Sequence, residues 1–283
     1  METEKRISAE LVAEALHVRK PESHKGDYGR ALLVAGSKGM MGAALLSARA
    51  CMRSGVGLLT VRVPACGYTI LQVGIPEAKC DCDANEEHHT RILIPKDTEV
   101  VGIGPGLGQH PETHQAFYEF LHTWNGPLVV DADGLNILSQ HPDWLSLLPS
   151  GTILSPHPGE MKRLGGDAAA LAEKYQLIVI LKGHETRIYY PASLQADGQP
   201  CVYVNCLHGN AGMAVGGSGD VLTGIILALL AQHYTPQEAA FLGVWLHAFA
   251  GDLALADRQS MESLLPSDLI EHLGQAFNFS LIE

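Results

Sequence analysis

Short, continuous apolar runs that break into a glycine- or carboxylate-bearing turn and then into a helix-like segment recur along almost the whole chain. This alternation constrains the fold more than any other feature. "ALLVAG" (31–36) leads into the small-residue helix "GAALLSARACMRSG", and "GLLTVRVP" reads as the next strand. "EVVGIGPG" runs into a glycine turn. "PLVVDADGLNIL" is a strand, a turn bearing Asp131 and Asp133, then a helix; "TILSPHPGEMKRL" and "YQLIVILKGHETRIYYP" read on the same plan. Apolar runs without polar alternation, such as 128–130 and 177–181, suit parallel strands covered on both faces. The pattern predicts an α/β fold of three layers, α/β/α, with a mostly parallel central sheet. No linker or fixed-period repeat divides the chain, so one domain over 1–283 is expected.

Composition narrows the function classes. Asp and Glu exceed Lys and Arg, 31 to 19, so a general nucleic-acid or anionic-membrane surface is not expected. A small anionic ligand still fits, given local backbone amides and a few cations. "METEKRISAELVAEAL" lacks a hydrophobic signal core, and no apolar run is read as long enough to span a membrane. The six cysteines are scattered, and Cys80 and Cys82 have no zinc-knuckle spacing; reduced thiols and a cytoplasmic location are expected.

In an open parallel sheet, ligands bind beyond the carboxyl ends of the strands, and the unusual residues stand there. After the first strand, "GSKGMMGAA" is either a plain turn or a close approach to a ligand, with Ala43 at the helix start. In "GIGPGLG", Pro105 spoils any dinucleotide fingerprint, and Gly104 and Gly106 read as clearance beside a ligand. Asp131 and Asp133 are either site carboxylates or part of a helix start with Asn136 bonding locally. In "SPHPGE" two prolines hold His157, and Glu160 falls in the next helix's first turn, where a structural and a phosphate-side role are both open. "LKGHET" offers Lys182 as a point charge for a phosphate, or as a surface lysine at a hairpin corner.

"GNAGMAVGGSGDVLTGIILALLAQ" (209–232) clusters glycines before an acidic residue and an apolar helix. Asp220 lies where loop becomes helix, among free N–H groups and the positive end of the macrodipole. It or Ser218 is either a helix cap or, in Asp220's case, a catalytic base facing a phosphate cradled by Gly217, Ser218 and Gly219. A low proton affinity is expected for a carboxylate in that field.

Taken in order, "HKGDYGRALLVAGS", "GIGPGLG", "VDADGLN", "SPHPGEMKRL", "LKGHETRIY", "GNAGMAVGGSGDVLTGII", "GVWLHAFAGDLA" and "SLLPSDLIEHL" resemble the NAD(P)H-hydrate dehydratases of the ribokinase-like superfamily. The likeness covers nearly everything after residue 24, with a core of about 24–275; a proline frequent after "GN" in that family is Ala211 here. The resemblance implies dehydration of the S epimer of hydrated NADH and NADPH, with ADP as phosphoryl donor, Mg2+ present, and AMP and phosphate released. It implies that Ala43, Gly106, His157 and Asp220 touch the hydrated dinucleotide. Lys182, Gly183, His184, Glu185, Thr186 and Gly219 would hold the nucleotide, and Asp220 would be the base. Glu160, directly or through water, would serve Mg2+. A homotetramer and functional pairing with a separate NAD(P)H-hydrate epimerase are further implications. A kinase that keeps its phosphate on the product, and a nucleotide sensor without catalysis, are the rival readings.

Overall fold

The computed structural model describes residues 3–257 and 260–282. Met1, Glu2, Arg258, Gln259 and Glu283, which fall within the domain expected over 1–283, lie outside the described residues. In chain order the elements are β1 (Thr3–Arg6), α1 (Ala9–Ala15), β2 (Arg30–Val34), α2 (Met41–Arg53), β3 (Leu58–Val63), α3 (Tyr68–Gly74) and β4 (Lys79–Cys82). There follow β5 (Val100–Ile103), α4 (Pro111–Leu121), β6 (Leu128–Val130), α5 (Asp133–Gln140), β7 (Ile153–Leu154), α6 (Pro158–Arg163) and α7 (Ala168–Tyr175). The chain closes with β8 (Ile178–Leu181), β9 (Thr186–Tyr190), β10 (Cys201–Asn205), α8 (Ser218–Ala231), α9 (Pro236–Ala256) and α10 (Pro266–Ile282).

The strands form one ten-stranded sheet in the order β1-β10-β9-β8-β7-β6-β5-β2-β3-β4. Among the described residues, only the pairs of β9, with β8 and with β10, are antiparallel. Alternate strand residues feed two cores. Leu33, Val61, Val129, Ile153 and Ile178 pack with α2, α8, α9 and α10, whereas Leu32, Val101, Val130, Leu154 and Val179 pack with α4 to α7. Both faces are therefore covered, which is why the strands carry no polar alternation.

Two expectations are corrected here. The segment after Lys182 does not enter a helix; it turns back as the antiparallel strand β9. Its short "TRIYY" run is rich in aromatic and β-branched residues, buries Ile188 and Tyr190, and is stopped by Pro191. Helix α9, at 21 residues, is long and apolar enough to cross a membrane by length and composition, contrary to the reading that no run is. Two-thirds of its apolar window is buried within the fold, which accounts for its composition as a core helix.

Strand order reverses between β2 and β5, and the two glycine loops meet there. Gly36 N donates to Pro105 O at 2.8 Å, and Ser37 Oγ donates to Gly106 O at 2.9 Å. The start of α8 packs over this end of the sheet, because the helix lies against β5, β6 and β2. Ligands collect at such a reversal.

Candidate active site

Gly217 caps α8 with φ +99°, the left-handed region that favours glycine, and a Cβ there would sit 2.5 Å from Leu46 Cδ1. No side chain caps this helix, so the capping alternatives for Ser218 and Asp220 are not what the structure shows. Ser218 N donates to Val215 O at 3.3 Å, and the amides of Gly219 and Asp220 that follow it in the first turn lie beyond the reach of an intrahelical acceptor.

Beside it lies a buried ion pair. Asp131, 1% exposed and at the end of β6, accepts from Lys182 Nζ at 2.8 Å through Oδ1 and from Thr223 Oγ1 at 2.9 Å through Oδ2. Lys182 is thus tethered rather than a mobile point charge. A Cβ on Gly219 would lie 3.2 Å from Lys182 Nζ and 3.6 Å from Asp131 Oδ2, so glycine here lets the pair approach the helix start. The residue after Asp131 is strained: Ala132 has φ +47°, an unfavourable conformation for a residue with a Cβ.

Burial, and then the charge of Asp131, push the Asp220 carboxyl up to about 7, although Lys182 pulls the other way. The expected low proton affinity is therefore corrected: desolvation and neighbouring carboxylates outweigh the helix dipole. A carboxylate of this strength is matched to proton transfer near neutrality. Burial likewise raises Glu160, against the pull of Lys182.

His157 and Glu160 form a reciprocal cap at α6. His157 N donates to Glu160 Oε2 at 2.8 Å, and Gly159 N donates to His157 Nδ1 at 3.0 Å. Both residues also line the same cleft as Asp220, so the structural role does not exclude the functional one. Glu160 Oε1 has His157 Nε2 only at 3.5 Å, which leaves acceptor capacity on a buried carboxylate.

The cleft has a volume of about 720 Å³. It gathers His157, Glu160, Lys182, Gly183, His184, Thr186, Gly217, Ser218, Gly219 and Asp220 from distant parts of the sequence. Ala43, Gly106 and Glu185 are not in its lining. Gly106 and Ala43 are neighbours at the sheet reversal, since a Cβ on Gly106 would lie 3.0 Å from that of Ala43. Glu185 is exposed and pairs with Arg187 at 3.3 Å. Gly104 gives clearance to the chain itself rather than to a ligand, because a Cβ there would meet Asp131 O at 1.8 Å; for Gly106 the nearest atom is Met40 O at 2.7 Å.

Sequence reasoning missed several lining residues. His247 of α9 faces Ser218 O at 2.9 Å, and burial lowers its imidazole to about 4, so the neutral ring donates Nε2–H to the first turn of α8. His208 and Asn210 are held by Asp252, which accepts from His208 Nδ1 at 3.1 Å and Asn210 Nδ2 at 3.0 Å. The available signal was a histidine and an aspartate inside the otherwise apolar "GVWLHAFAGDLA". Such polar groups in a core helix need partners.

The NAD(P)H-hydrate dehydratase family model matches residues 31–275. The bifunctional NAD(P)H-hydrate repair enzyme of Moorella thermoacetica is 39% identical over 275 residues, covering 90% of this chain and 50% of that protein. The chain thus spans about half the length of such bifunctional relatives. The ADP-dependent (S)-NAD(P)H-hydrate dehydratase of Bacillus subtilis is 35% identical over 283 residues, covering 93% of this chain and 94% of that one. Among solved structures, the Bacillus subtilis ADP/ATP-dependent NAD(P)H-hydrate dehydratase co-crystallized with ATP/Mg2+ superposes with a TM-score of 0.77 at 31% identity, over 96% of this chain and 97% of that one. A ribokinase-like superfamily protein from Enterococcus faecalis gives a TM-score of 0.81 at 27% identity, over 98% and 96%. The fold is ribokinase-like.

Proposed function

The chain belongs to the NAD(P)H-hydrate dehydratase family, and from that premise we propose that it dehydrates the S epimer of hydrated NADH and NADPH, using ADP as phosphoryl donor. The observation that carries the proposal is Asp220, a half-buried carboxyl of proton affinity about 7 in the first turn of α8, beside the Lys182–Asp131 pair and facing a cleft.

In this reading Asp220 takes the proton from the C6 hydroxyl of the hydrated ring. That oxygen attacks the terminal phosphorus of ADP, and the bond to the bridging oxygen breaks, releasing AMP. The ring nitrogen's lone pair then expels inorganic phosphate from C6, and loss of a proton from C5 restores the reduced nicotinamide. The first-turn amides of Gly219 and Asp220, in the turn formed by Gly217 and Ser218, and the Lys182 ammonium oppose the charge that develops in transfer. Gly183, His184, Glu185 and Thr186 form the nucleotide side, and His157 with Ala43 and Gly106 forms the dinucleotide side. Mg2+ fits through Glu160, whose spare acceptor oxygen is a hard donor, directly or through water. When bound, the cation neutralises phosphate charge.

The same proposal holds the chain to be one catalytic domain working in the cytoplasm, in keeping with its six free thiols. It forms a homotetramer, for which the exposed Tyr68, Ile70 and Val73 of α3 offer surface. It works with an NAD(P)H-hydrate epimerase, as the greater length of the bifunctional relatives suggests.

The test is incubation with the S hydrate of NADH or NADPH, Mg2+ and either ADP or ATP, following the reduced-nicotinamide absorbance. Recovery that requires a nucleotide, with ADP the better donor, is expected. No recovery with either nucleotide, alongside phosphorylation of a small alcohol, would place the chain among the kinases.

A further inference from the structure

Five of the fourteen histidines, His88, His89, His110, His114 and His141, gather where the loop between β4 and β5 meets the start of α4, away from the cleft. His88 and His110 stack with ring centres 3.6 Å apart. His88 Nε2 lies 2.7 Å from Glu112 Oε2, and His110 Nδ1 accepts from Glu112 N in a long bond of 3.3 Å. One ligand atom from each of His88, His110 and Glu112 falls within 4.8 Å of the others.

We propose that His88, His110 and Glu112 form a binding site for a divalent transition metal of the zinc class, with water completing its shell. The donor chemistry selects the ion: two imidazoles and one carboxylate suit zinc and its neighbours rather than Mg2+ or Ca2+. Around a tetrahedral ion with bonds of about 2.0–2.2 Å, donor atoms sit roughly 3.3–3.5 Å apart. The pair now 2.7 Å apart opens to that size by movement of Glu112, whose side chain is 60% exposed, away from His88, whose side chain is 15% exposed. The ion takes the Nδ1 lone pair of His110 in place of the long cap bond.

The backbone beneath is already built. Asn85 Oδ1 accepts from His88 N at 3.2 Å, and Thr113 Oγ1 donates to His89 O at 3.0 Å, docking the loop on α4. Glu87, next to His88, pairs with Lys38, and Lys38 N donates to Glu87 O at 2.8 Å. A metal here would brace the loop that supports "GSKGMMGAA". None of the three ligands lines the cleft, so the site is separate from the Mg2+ position.

Calorimetric titration of the full chain with Zn2+, in excess Mg2+, tests the site. One equivalent is expected to bind with Kd below about 10 μM and to raise the melting temperature. His88→Gln and His110→Asn should each weaken binding by at least about tenfold, and the asparagine keeps α4 capped. Asp220→Asn should leave Zn2+ binding unchanged. Absence of a saturable Zn2+ site in the parent, persistence of full affinity in both histidine variants, or loss of binding in Asp220→Asn would each overturn the proposal.

Discussion

A carboxylate in the first turn of a helix ordinarily ionises readily, because free N–H groups and the macrodipole favour its charge. At Asp220 burial and the adjacent Asp131 win instead, and the proton is held to about pH 7. Two consequences follow at this one residue. The base form is needed for turnover, so kcat/KM should rise with pH and level off above a midpoint near 7. A pH-independent profile through that range would contradict the role. Stability runs the other way. The folded carboxyl titrates near 7 against 3.8 for an ordinary aspartate, so its contribution is complete below 3.8 and is lost as pH rises through 7. Asp220→Asn escapes that loss, and its melting-temperature advantage over the parent should grow from about pH 4 to pH 7 and then stay level. The same variant cannot accept the hydroxyl proton, so its turnover should fall about 10²- to 10⁴-fold while both ligands still bind. Turnover within a few-fold of the parent in a normally folded variant would remove Asp220 from the role of base.

At the scale of elements, the α8 start separates two glycines that look alike in sequence. Gly217→Ala meets Leu46 and forces a left-handed φ on a residue with a Cβ, so it should lower the melting temperature markedly. Gly219→Ala presses on the flexible end of the Lys182 side chain, meets Asp131 Oδ2 at ordinary contact distance and gains helix propensity. It should fold as well as the parent and lose activity, because Lys182 must shift from Asp131. Equal melting losses in both variants would contradict this division. The strand-to-turn-to-helix plan was legible because apolar runs and glycine or proline breaks are local signals, and α2, α5, α6, α8 and α9 stand where those signals put them. The β9 hairpin was legible only in the alternative that put Lys182 at a hairpin corner, because the strand-to-helix plan of the preceding segments outweighed the β-branched and aromatic content of "TRIYY". The Lys182–Asp131–Thr223 cluster was not legible, because residues 51 and 92 positions apart meet only once the sheet and α8 are packed. The proton affinity of Asp220 depends on the same packing. His247 escaped notice because a helix of small and apolar residues reads as core, and its hydrogen bond to Ser218 O depends on how α9 crosses α8.

For the whole molecule, the ten-stranded sheet matters through the place where its order reverses. There the loops after β2 and β5 bring Ala43 beside Gly106, while the ends of β6, β7 and β8 deliver Asp131, His157 and Lys182 to the start of α8. Two polar ligands can therefore meet across one helix N-terminus, which is what transfer of a phosphoryl group to the hydrated ring requires. The fold itself serves kinases equally well, so the fate of the phosphate decides the account. The decisive measurement is a mass balance in one reaction of the protein with the S hydrate of NADH, ADP and Mg2+, with AMP, inorganic phosphate and NADH quantified together. The three products are expected in equal amounts. NADH formed without AMP and phosphate, or a phosphate ester that accumulates in place of free phosphate, would contradict it.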